Sequence, residues 1–246
     1  SVSTLLASCP ANEIEWRVFG RFPNDANAFD LFAPNWRKLS QARFEKVQHL
    51  LRYRAVGIDV AASSKGDYCC IAAGDLYGCK KLILIRNPNI PMLKGEIYAR
   101  CRMLGIDLTD GTIPVGIDPL NMGGPLADFM ELDGCFIIRC GATSTAERNK
   151  DSYFNRRAEI NGDLAAAFDP QFTDEPWVFD WDAVDDDGIC QGDLMWEELR
   201  ALEKIYRPDG RKYQLNSKHK VDALRKQKNQ DGRDSVEEKI GRSPDR

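Results

Sequence analysis

The chain has 246 residues, 43% hydrophobic and 29% charged, with 19 Gly and 12 Pro, which is the composition of a globular domain with a full core and excludes a disordered chain, a collagen and a coiled coil. No apolar run approaches the roughly 18 to 20 residues of a membrane helix, the longest being short pieces such as Cys69 to Ala73. The net charge of −4 argues weakly against a polyanionic partner, but residues 173–198 carry ten acidic side chains and no Lys or Arg, whereas residues 211–246 carry eleven basic and six acidic, so averaging hides a basic C-terminal segment.

In chain order, Glu15 to Phe19 reads as a short strand, Pro23 and Pro34 punctuate a loop, and residues 36–51 read as helical. From Arg54 the pattern becomes an alternation of apolar strands and helices, which predicts a sheet covered by helices. The strands fall at 54–60, 68–74, 80–86, 113–118 and 135–140. Between the third and fourth, Leu93, Ile97, Cys101 and Leu104 form one buried stripe of a helix, with Pro91 in its first turn. A shorter helix from about 125 to 132 and a third from about 152 to 168 follow. Three strands joined by tight turns and then βαβ crossovers is the ribonuclease H layout, a mixed α/β sheet flanked by helices, whereas a dinucleotide-binding fold starts with βαβ. Residues 173–193 read as an acidic loop, and Met195, Leu199, Leu202 and Tyr206 as the stripe of a further helix. Arg211 to Lys220 reads as a basic hairpin and 220–229 as a polar helix.

Eight Cys are scattered at 9, 69, 70, 79, 101, 135, 140 and 190 with no CxxC, which fits a reducing compartment better than a disulfide framework. The only His residues, His49 and His219, are far from any Cys pair, so no zinc-binding spacing exists. Leu6 to Cys9 spells a lipoprotein cleavage box but lacks the apolar and basic segments that should precede it. The acidic loop is spelled partly like a calcium loop; Val184 and Asp185 break the acid and Gly requirements, leaving a solvated loop. Trp177, Trp181 and Trp196 read as packing anchors, because a duplex exposes no base faces for stacking.

Asp59 ends the first strand, directly after core positions, and Asp118 ends the fourth in the same setting. Each alone reads equally well as a turn cap. Two strand-end carboxylates in one sheet point instead to a divalent cation between them, since like charges brought together need a counter-ion. Ser243-Pro244-Asp245 reads as a helix start, with Asp245 as either a capping acid or a third ligand. Three separated carboxylates holding two hard cations are what two-metal phosphodiester cleavage requires.

These residues carry a resemblance. Gly57-Ile58-Asp59 with Lys65-Gly66-Asp67, then Gly116-Ile117-Asp118, Phe154 to Glu159 and Ser243-Pro244-Asp245 resemble the nuclease domain of the large terminase subunit of tailed bacteriophages; Trp16-Arg17-Val18 and Gly20 to Pro23 are similar to the lead-in from the ATPase half. The resemblance spans about residues 16–246. It implies residues 1–52 as a linker segment and 53–246 as a ribonuclease H-like endonuclease that cuts concatemeric viral DNA during packaging, with two Mg2+ or Mn2+ ions. By position, Asp59 bridges the metals, Asp118 holds one, Asp245 completes the site, and Asp67 forms a turn or supports a ligand. Arg156 and Arg157, fixed by Glu159, reach phosphate or form a helix-surface ion pair; with Lys218, Lys220 and Arg242 they make the DNA-binding set. The implied partners are double-stranded DNA and, in the full protein, an ATPase domain, the small terminase subunit and the capsid portal, in the cytoplasm of an infected host and with no membrane role.

Two departures qualify the resemblance. No GxxxxGK[ST] loop occurs, so no nucleotide is expected. The sequence ends one residue after Asp245, which reads as truncation of the last helix, with Glu237 or Glu238 as substitutes for the third ligand. The alternatives are a junction resolvase or transposase of the same fold and a docking module whose acids are relics.

Overall fold

The computed structural model describes residues 29–60, 68–86, 89–141, 145–184, 189–206, 212–216 and 235–240. Six strands form one sheet: β1 (Ala55–Asp59), β2 (Cys69–Asp75), β3 (Gly78–Ile85), β4 (Pro114–Ile117), β5 (Phe136–Arg139) and β6 (Val178–Phe179), in the order β5-β4-β1-β2-β3-β6. β1, β2 and β3 are antiparallel neighbours, while β4 pairs parallel to β1, β5 to β4 and β6 to β3. This is the expected ribonuclease H-like arrangement, with β6 added inside the stretch read as an acidic loop. At two residues, both buried, β6 offers no alternation by which a strand is recognised.

One sheet face is closed by α2 (Ile90–Met103) and α3 (Gly123–Leu132). Val56, Ile58, Ile71, Val115 and Ile117 meet Leu93, Ile97, Cys101, Leu126 and Met130 in a single apolar cluster. Asn89 caps α2 by accepting from the Met92 N–H at 3.2 Å, with Pro91 in the first turn, so the buried stripe begins where its sequence signals place it.

The β2–β3 part of the other face is covered by α4 (Arg156–Phe168), α5 (Gln191–Arg200) and a hairpin of β7 (Lys204–Tyr206) with β8 (Tyr213–Leu215). Trp181, fully buried, is the hub of the second core: it packs on Phe168, Phe179 and Trp196, and its Nε1 donates to Ser40 Oγ at 2.9 Å. Ser40 lies on α1 (Trp36–Val47), which packs along β6. The expected packing role of Trp177, Trp181 and Trp196 is thus observed, Trp177 lying edge-on to Phe168.

Several expected boundaries are corrected. The first helix stops at Val47 rather than 51, and the 152–168 helix starts at Arg156, where Asn155 caps it. The helix through Met195 ends at Arg200: the Ala201 N–H turns back to Glu197, Glu198 and Leu199, and the chain becomes extended. Leu202 and Tyr206 therefore lie beyond the helix although they continue its apolar spacing, because residues four apart share a side in a strand as well. The observed hairpin pairs Lys204–Tyr206 with Tyr213–Leu215, so one of its strands precedes the stretch 211–220, of which 211 and 217–220 lie outside the described residues. The expected strand at 15–19, the polar helix at 220–229 and the start at Ser243 lie outside the described residues. Among the described residues, no helix is long and apolar enough to cross a membrane.

Candidate functional site

Asp59 and Asp118 leave the sheet side by side. Ile58 of β1 is paired in parallel with Ile117 of β4, so the next residue of each chain, Asp59 and Asp118, is displaced by one strand spacing, about 4.8 Å. Side chains alternate along a strand: Val56 and Ile58, like Val115 and Ile117, enter the core under α2 and α3, which sends Asp59 and Asp118 to the opposite face together with Gly57 and Gly116. A Cβ on Gly57 would meet only the Ala72 carbonyl, at 4.0 Å. The sheet beside the carboxylates is therefore a low floor that a bulky ligand can approach.

The turn after β4 fixes Asp118. Its Oδ1 accepts from the Leu120 N–H at 3.1 Å, an Asx turn that holds one oxygen. Asn121 follows with φ of 50°, in the left-handed region that Asn tolerates better than most residues. α3 then begins against this turn: a Cβ on Gly123 would lie 1.9 Å from the Asp118 carbonyl oxygen, and one on Gly124 2.9 Å from that of Pro119. The Gly pair is what lets the helix start so near the carboxylate.

Cysteines flank the two carboxylates. Cys70 of β2 stands opposite Asp59 in the antiparallel ladder, and Cys140, just after β5, donates its N–H to the Ile117 carbonyl at 2.8 Å. Burial pushes the Cys70 thiol well up, and the Cys79 thiol, the Asp59 carboxylate and Glu198 push it further. Cys70 therefore stays neutral.

The Phe154 to Glu159 segment does structural work beside the site. Asn155 caps α4 through the Ala158 N–H at 2.9 Å. Glu159 is fully buried and accepts from the backbone N–H groups of Glu147, Arg148 and Asn149 at 3.0, 2.7 and 2.6 Å, and from Arg156 Nη1 at 2.5 Å. Burial would raise its pKa, but the three N–H groups and Arg156 outweigh it and hold the carboxyl down to about 2. Arg156 also pairs with Glu147 at 3.6 Å, and Arg157 turns inward to donate to the Asn216 carbonyl at 2.6 Å. The Arg156–Glu159 pair is thus not the surface ion pair weighed from the sequence; it clasps the loop after β5 onto α4.

The expected site residues Asp67, Asp245, Lys218, Lys220 and Arg242 lie outside the described residues. Glu238 is committed to a capping box, accepting from the Ser235 N–H and Oγ at 2.9 Å each. For a hard divalent cation, Asp59 and Asp118 offer the right oxygen donors on one face; among the described residues no third His, Cys, Asp or Glu joins them in a metal-binding cluster. One pair absent from the sequence reading lies at the same end of the sheet: Arg86, just after β3, stacks on Tyr68, just before β2, with 4.1 Å between guanidinium carbon and ring centroid. Pairing the second and third predicted strands as a hairpin would have revealed it.

No family model and no curated protein matches the chain. Solved structures do. The nuclease domain of the large terminase subunit gp2 of bacterial virus Sf6 superposes with a TM-score of 0.59 at 14% identity, covering 88% of this chain and 94% of that one. A variant of that domain with manganese and β-thujaplicinol gives 0.56 at 15% identity, covering 86% and 95%. A calcium-bound variant gives 0.54 at 16%, covering 86% and 96%. At these identities the likeness establishes the fold, which is that of the terminase nuclease domains.

Proposed function

We propose that this chain is a metal-dependent DNA endonuclease, the nuclease module of a phage large terminase, and that Asp59 and Asp118 are its central metal ligands. The observation that carries the reading is the emergence of these two carboxylates, one strand spacing apart, on the face where Gly57 leaves the sheet open, a Cβ there meeting only the Ala72 carbonyl at 4.0 Å. The manganese- and calcium-bound relatives of the same fold support it.

In this reading the two aspartates hold Mg2+ or Mn2+, two ions once Asp245 contributes, and the ions supply charge neutralisation at the phosphate and a more acidic water. The chain does the rest. The Asx turn at Asp118 keeps one of its oxygens occupied. The Gly floor admits the sugar–phosphate backbone. The Glu159 clasp fixes the loop after β5 onto α4. The basic residues Lys218, Lys220 and Arg242 extend the phosphate contact, so binding is largely sequence-independent. In the cell the substrate is concatemeric viral DNA in the cytoplasm of an infected host, and the partners are an ATPase domain, the small subunit and the portal.

The test is nicking and linearisation of supercoiled plasmid in magnesium, manganese and chelator, wild type beside Asp118→Asn. Cutting that needs the metal and vanishes in the variant supports the assignment. Cutting that survives the substitution at the wild-type rate removes Asp118 from the site.

A further inference from the structure

The Tyr68–Arg86 pair has a defined place relative to the candidate site. Cys69 is paired with Ile85 in the antiparallel ladder, so Tyr68 and Arg86 are the next opposed residues beyond its end. Cys69 and Ile85 point into the core under α2, which sends Tyr68 and Arg86 to the opposite face. That is the face of Cys70, which stands opposite Asp59. The pair therefore shares both the face and the end of the sheet with the two carboxylates. Cys70 is paired with Leu84, so Arg86 lies two strand spacings to the side of Asp59 and two residues further along, about 12 Å away.

Its chemistry is that of an anion holder. Arg86 is exposed, and among the described residues its guanidinium makes no hydrogen bond and no ion pair; Arg139, Arg148, Arg156 and Arg200 are each neutralised by a carboxylate. A partly buried ring 4.1 Å from the guanidinium carbon holds that group in place while leaving its N–H groups free. A planar fork held this way suits the paired oxygens of a phosphate. At roughly 3.4 Å of axis per nucleotide, about 12 Å places that phosphate about three to four nucleotides from the one at the carboxylates.

We propose that Arg86, held over the Tyr68 ring, is a positioning residue that binds a backbone phosphate flanking the scissile one and so sets the path of the DNA strand across Asp59 and Asp118. This rests on the nuclease reading for its substrate but on separate residues.

The experiment measures binding of a fluorescently labelled DNA duplex by anisotropy, in chelator, over a series of salt concentrations, with plasmid cutting in manganese alongside. Arg86→Ala is expected to weaken binding about tenfold at low salt and to flatten the slope of log affinity against log salt by about 0.9, the release of one phosphate contact. Arg86→Lys keeps the slope but binds more weakly, having charge without the fork. Tyr68→Leu weakens binding at unchanged slope, and Tyr68→Phe behaves as wild type. An Arg86→Ala protein with wild-type affinity and slope overturns the proposal. If that variant does not fold, wild-type affinity in both Arg86→Lys and Tyr68→Leu overturns it instead. The nuclease reading is judged separately: a wild type that shows the Arg86 effect but never cuts loses that reading and keeps the phosphate site. One that cuts through Asp118 while ignoring Arg86 keeps the reading and loses the site. A wild type that does not bind duplex DNA overturns both.

Discussion

Gly123 abuts Asp118: the first turn of α3 runs so close to the Asp118 carbonyl that a methyl group on Gly123 would sit 1.9 Å from that oxygen. The obstacle is backbone, which cannot swing aside as a side chain can. Gly123→Ala is therefore expected to cost about 1 to 3 kcal/mol by overpacking and to displace the carboxylate. Thermal melting and plasmid cutting should both register it, with cutting falling further than stability explains.

In the proposed site, Asp59→Asn and Asp118→Asn each exchange a carboxylate for a neutral amide of the same shape. Cutting is expected to fall below detection while duplex binding is kept or tightened, because a charge that repels phosphate is gone. Anisotropy and plasmid assays run on the same preparation check this.

Glu159 gives the fold an acid limit. Its carboxyl is held at about 2 in the folded chain against an ordinary 4.5, so its contribution is fully present above about 4.5 and is lost as pH falls toward 2. Glu159→Gln is expected to destabilise the protein at neutral pH and to remove this part of the acid dependence. Urea midpoints measured from pH 6 down to pH 3 would show a shallower fall in the variant.

Ser40 Oγ accepts from the buried Trp181 Nε1 at 2.9 Å and from the Phe179 N–H at 3.3 Å, joining α1 to β6 and its neighbouring turn. Ser40→Ala leaves both donors without this acceptor and is expected to cost about 1 to 3 kcal/mol. At roughly 2 to 4 °C per kcal/mol for a domain of this size, calorimetry should show a drop of several degrees.

Asn121, with φ of 50°, follows the Asx turn of Asp118. Asn121→Gly is expected to be tolerated, and Asn121→Val to destabilise by about 1 to 2 kcal/mol, since a β-branched residue fits the left-handed region poorly. Melting curves of the two variants should diverge in that order.

The sheet was legible because its central strands are apolar runs of ordinary length between turn residues, and because Asp59 and Asp118 end two such runs in the same way. The pairing of β1 with β4 then follows from the ribonuclease H-like topology. What escaped the sequence was set by tertiary partners. β6 is a strand only because β3 offers it an edge. Leu202 and Tyr206 keep helical spacing on extended backbone because the hairpin with β8 claims Lys204–Tyr206. Glu159 reads as a surface acid until the loop at 147–149 folds over it, and Arg86 meets Tyr68 only when two strands align.

The carboxylate pair depends on contacts far apart in the chain, with Val56 laid beside Val115 after β2, β3 and α2 have intervened. The β1–β2–β3 meander can assemble from neighbouring residues, but the β1–β4 seam must close a long loop and bears its entropy. Asp59 and Asp118 therefore come together only once that seam has closed. A nascent or partly unfolded chain carries both acids but not the pair, so in this reading a loosened molecule fails silent and cannot become an unregulated nuclease.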